Sequence, residues 1–123
     1  MGLLDRNTDG VFIGVYNISQ GAAWTDLTST DFNDTRGVGA DLAFGAGLVF
    51  VKLQFVNTDG AQDLFWTLGT GGVKTTANAL FVAAGAADER VIAAGDPVTT
   101  ISIQGSGAAT TGKIIAHLVP AAA

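Results

Sequence analysis

No cysteine occurs among the 123 residues, which excludes disulfides, thiolate metal sites and cysteine nucleophiles. The absence is compatible with a reducing compartment. Histidine is nearly absent too: His117 stands alone, so any histidine-based triad or multi-histidine metal site would have to run through it. Charge is scarce. Charged residues make up 14% of the chain, about half the usual share, against 48% apolar. Arg6, Arg36, Lys52, Lys74, Arg90 and Lys113 are scattered and face eleven carboxylates, for a net charge of -5. A protein that tracks a phosphate backbone needs clustered cations, so nucleic acid is not an expected partner. Long apolar runs are missing as well, and stretches such as Leu48 to Val51 fall far short of a bilayer span. The opening Met1-Gly2-Leu3-Leu4-Asp5-Arg6 has no basic region followed by an apolar one, and Arg6 breaks the myristoylation pattern. The expectation is a protein made in the cytoplasm with no membrane partner.

What the chain does contain is alternation. In Leu48 to Val56 the odd positions Val49, Val51, Leu53 and Phe55 form one apolar face, and Lys52 and Gln54 point the other way. Ile101 and Ile103 repeat the pattern, as do Ile114, Ala116 and Leu118, with His117 on the opposite face. Leu64, Trp66 and Leu68 make a further stripe. Turn signals interrupt these runs at Asp9-Gly10, Asp59-Gly60, Gly69 to Gly72, Gly95-Asp96-Pro97 and Gly105-Ser106-Gly107. Strands are expected near 11–18, 23–28, 41–44, 48–57, 62–68, 79–84, 88–93, 98–104 and 111–119. Residues 75–84 also hold good helix formers, enough for a short turn of helix. Seven to nine short strands with glycine-rich turns point to an all-β, antiparallel, jelly-roll-like sandwich. One domain over 1–123 is expected, with an arm at 1–10 and a frayed tail at 120–123, where Pro120 stops the last strand.

Several motifs come close to chemistry and stop short. Asp26 to Thr35 gathers three carboxylates, but the order of an EF-hand is absent, and a loop built on Asx turns is the better reading. Gly69 to Thr75 places Val73 where a phosphate loop needs glycine before lysine. Asn-Thr-Asp-Gly occurs at 7–10 and again at 57–60, which reads as repeated turn chemistry. Trp66 belongs to a core stripe, whereas Trp24 and Tyr16 are the aromatic residues that could contact a ligand such as a sugar ring. No catalytic residue, cofactor or metal is expected, and the chain does not read as an enzyme. Low charge leaves neutral Ala, Gly, Thr and Ser surface, which desolvates at little cost against another protein.

The second half resembles small β-sandwich virion proteins of tailed bacteriophages, the capsid decoration or cement proteins and head-neck accessory proteins. The features that carry the resemblance are Leu48 to Thr58, Ala86-Ala87-Asp88-Glu89-Arg90-Val91, Thr99 to Gly107 and Lys113 to Val119. It is a likeness of texture: cysteine-free, low-charge strands rich in Ala, Gly and Thr. It implies a jelly-roll-like sandwich, often a homotrimer, bound to the major capsid protein on the outer head surface of a virion. Two other readings share the composition, a carbohydrate-binding or host-recognition module using Trp24 and Tyr16, and a tail or neck adaptor.

Overall fold

The computed structural model describes residues 12–34, 44–69, 75–92, 98–107 and 109–120. Their strands are β1 (Phe12–Gln20), β2 (Thr25–Leu27), β3 (Asn33–Asp34), β4 (Leu48–Asn57), β5 (Leu64–Leu68), β6 (Leu80–Val82), β7 (Ala87–Val91), β8 (Ile101–Gly105) and β9 (Thr110–Pro120). Two antiparallel sheets form, in the orders β3-β1-β9-β4-β7 and β2-β8-β5-β6.

The pairing is nested. β5 pairs with β6, β4 with β7, β2 with β8 and β1 with β9, as in one long hairpin closed at its β5–β6 end. Folding that hairpin over itself brings β4 beside β9 and β5 beside β8. The result is a jelly roll of two facing four-stranded sheets, with β3 added at the edge of one. Each sheet turns its apolar face to the other, because residues two apart on a strand share a side.

Leu53, Phe55, Leu64, Trp66, Ile101, Ile103, Ile114, Ala116 and Leu118 have no exposed surface and fill the space between the sheets. Trp66 stacks on Phe55 across the sandwich with ring centroids 4.4 Å apart. The facing expected for β9 holds throughout. In β4 it holds only past a β-bulge between Phe50 and Lys52. Before the bulge parity changes: Phe50 is buried against Phe32, while Val51, expected in the apolar face, is half-buried.

Other departures are local. Of the strand expected at 41–44, only Phe44 is among the described residues. It is buried outside any strand, its N–H donating to the Phe32 carbonyl at 3.1 Å. β3 falls where a loop was expected, and pairs Asp34 with Gly14. Gly14 accepts this close packing because a Cβ there would run into the Phe44 ring. Residues 76–78 form a single 3-10 turn before β6, so the helix-forming composition yields one turn and then a strand. Pro120 closes β9 as its last residue, opposite Leu48. The arm at 1–10, the tail beyond Pro120, the Asp9-Gly10 and Gly95-Asp96-Pro97 turns, and residues 70–74 lie outside the described residues.

Candidate interaction surfaces

The outward face of the five-stranded sheet follows from its register. Ile13, His117, Lys52 and Val91 form one cross-strand row; Val15, Ile115, Gln54 and Glu89 form the next; Asn17, Lys113, Val56 and Ala87 form a third. Ile13, Val56 and Val91 are exposed on this face. Its charges are partly tied together. Lys52 Nζ lies 3.5 Å from Glu89 Oε1, and Gln54 Nε2 donates to Glu89 Oε2 at 2.9 Å. The Gln54 hydrogen bond, then the Lys52 charge, hold the Glu89 carboxyl below its ordinary range. An open groove of about 430 Å³ runs beside them, lined by Gln54, Val56, Ala87, Glu89 and Ile115 among others.

The sheet edges differ from one another. Every residue of β7 is exposed, yet Asp88 and Arg90 sit opposite the buried Phe55 and Leu53, on the inner side of the sheet. The Arg90 guanidinium carbon lies 5.7 Å from the centre of the Trp66 ring. Inward charges on an edge strand discourage a further strand from pairing there. β6 has no such feature. No charged residue lies between Lys74 and Asp88. Leu80 is 42% exposed and Phe81 57%, the latter with its ring centroid 6.3 Å from that of Phe65 on the outward side of β5.

One buried polar side chain fixes β6 in place. Asn57, 1% exposed at the end of β4, donates through Nδ2 to the carbonyls of Gln62 (2.8 Å) and Val82 (3.1 Å). Its Oδ1 accepts from the Asp59 N–H at 3.0 Å. Asp59 Oδ1 in turn accepts from the N–H groups of Ala61 and Gln62, which lower its carboxyl pKa. The turn Asn57-Thr58-Asp59-Gly60 is thus an Asx-bonded corner that ties one sheet to the other.

The residues singled out in the sequence are dispersed. Tyr16 lies on the inner face of β1, half-buried with its ring centroid 5.9 Å from that of Phe32. Burial, helped by the negative charge of Asp31, raises its phenol pKa. Trp24 is half-buried just ahead of β2, in the other sheet, and no ring contact joins it to Tyr16 among the described residues. The carboxylates of 26–34 diverge as well. Asp26 accepts from the Ser102 hydroxyl, Asp31 caps the 3-10 turn by accepting from the Thr28 N–H at 2.9 Å, and Asp34 ends β3. His117 lies between Ile13 and Lys52 on the outward face, as its parity required. The turn expected at 57–60 is present, but the buried Asn57 bonds to Gln62 and Val82 and the exposure of Leu80 and Phe81 were not anticipated. The signal for Leu80 and Phe81 is the uncharged stretch before Asp88, which allows a strand without saying what its edge faces.

No family model matches the chain, and no curated protein matches it either. Among solved structures it is similar to a Bacillus endospore appendage of a family of disulfide-linked pili. The TM-score is 0.58 at 16% identity, over 88% of this chain and 83% of that one. It is also similar to the coat protein of Tobacco streak virus in two structures. Their TM-scores are 0.43 and 0.38 at 13% and 12% identity, over 94% of this chain and 89% and 90% of those. At these identities the likeness to the appendage protein shows a shared fold.

Proposed function

We propose that this protein is a structural subunit, without catalytic activity, that forms a homo-oligomer and packs neutral surface against a larger protein assembly. The observation that carries the reading is the exposure of uncharged apolar side chains: Ile13, Val56 and Val91 on the outward face of one sheet, and Phe81 and Leu80 on the edge strand β6 of the other. In a chain whose charged fraction is 14%, such surface is desolvated without stripping water from many ions. The fold shared with a subunit of spore pili supports a building-block role. Without cysteine, however, this chain cannot be joined to its neighbours by disulfides. Non-covalent burial, repeated over many copies, has to supply the cohesion.

The finer form of the reading is a decoration protein on the head shell of a tailed phage, made in the host cytoplasm and bound to the major capsid protein. Its support is the texture of the strands from Leu48 to Val119. The test is co-sedimentation with empty head shells of tailed phages, in low and high salt. Retention on the shells in both is expected, since few ion pairs are available to screen. Protein left in the supernatant at every shell concentration would remove the decoration role.

A further inference from the structure

We infer that the exposed edge of β6 is the contact between copies, pairing antiparallel with the same strand of a second chain about a two-fold axis near Phe81. The inference rests on the proposed self-assembly and names its surface. Among the described residues four strands end the two sheets, and they are not equivalent. β3 has two residues, and β2 has three with Asp26 at its centre. β7 turns Asp88 and Arg90 inward, so a strand added there would stack over charge. β6 alone among them combines exposed large apolar side chains with a complete lack of charge.

The occupant follows from the same comparison. A partner carrying the same net charge of -5 is repelled from most of this surface, and approach is easiest where neither copy carries charge. The uncharged stretch between Lys74 and Asp88 meets that condition on both sides at once when it faces itself, and its strand β6 ends a sheet. An antiparallel pair is also self-complementary: under a two-fold axis each residue meets its symmetry mate or a near neighbour. Phe81 would then lie beside the partner's Phe81, and each ring already leans on Phe65 of its own chain. Cross-strand aromatic pairs of this kind stabilise antiparallel ladders. The two four-stranded sheets would join into one sheet of eight, and Leu80 would lose its exposure. The inner side of β6 is held independently of this contact by Asn57 Nδ2 on the Val82 carbonyl.

Light scattering on size-fractionated protein, over a wide concentration range, tests the surface. The wild type should reach the mass of two chains or an even multiple of it. Phe81→Lys should shift the population to single chains with an unchanged circular dichroism spectrum, since the side chain is mostly exposed. Ser19→Lys, at an exposed position of β1, should leave the wild-type mass intact. Hydrogen exchange on the wild type gives a check without any variant: amides at 80–82 should gain protection as concentration rises. A folded Phe81→Lys variant that keeps the wild-type mass would overturn the β6 contact while leaving self-assembly standing. A trimer with 80–82 unprotected would do the same. A wild type that stays a single chain at every concentration would remove both.

Discussion

Leu53 and Lys52 are neighbours in sequence with opposite fates, and the difference is measurable. Leu53 has no exposed surface, so Leu53→Ala should cost about 2–5 kcal/mol through lost burial and the cavity left behind. Lys52 lies on the outward face, and its ion pair with Glu89 is solvent-exposed, so Lys52→Ala should change stability by no more than about 0.5 kcal/mol. Urea melts of the two variants check the assignment. Gly112 is a stricter case, because a Cβ there would collide with the Val56 carbonyl of the neighbouring strand. Gly112→Ala should therefore destabilise by about 1–3 kcal/mol through overpacking, again read from urea melts. His117 contributes a pH dependence. Burial, then the Lys52 charge, depress its pKa from the ordinary 6.5, with Glu89 opposing. As pH falls below 6.5 the unfolded chain binds the proton first, so stability declines until the folded imidazole is protonated too. Melts of His117→Asn across that window should show this slope removed. The facings of Leu53 and His117 were legible from alternation alone. Phe50 was not, because a bulge reverses parity and local alternation carries no sign of where one occurs.

Among the elements, the strands expected at 23–28, 79–84 and 88–93 are present as the short β2, β6 and β7, and among the described residues β3 is the strand that was not foreseen. β4, β8 and β9 pair on both sides, and their residues had to alternate or fill with apolar side chains. β3 has two residues, too few for any period to appear. β6 has three, preceded by alanines that favour helix. It becomes a strand because Leu64 and Trp66 offer an edge and Asn57 binds the Val82 carbonyl. Asn57→Ala should leave the carbonyls of Gln62 and Val82 without their buried donor, at a cost of about 1–3 kcal/mol. The loss should be local as well as global: hydrogen exchange should show β6 and the 57–62 turn opening before β4 and β9 do. Uniform loss of protection across all strands would mean that the corner does not hold β6. The surfaces were less legible than the strands. Trp24 and Tyr16 are candidates by residue type, and residue type alone does not say which side of a sheet a ring takes. The parity of Tyr16, opposite Ile114, turns it inward.

At the scale of the whole molecule, what matters is how little charge the chain carries and where that charge is placed. The inward Asp88 and Arg90 guard one edge, the Lys52–Glu89 pair sits on one face, and β6 is left bare. A jelly roll arranged this way is suited to packing beside other proteins through burial, and its contacts should be nearly indifferent to ionic strength. Sedimentation equilibrium of the wild-type protein at low salt and at 1 M salt, where the screening length is about 3 Å, tests this most directly. A multimer of the same mass is expected in both. A single chain in both conditions, or a multimer that dissociates as salt rises, would contradict it.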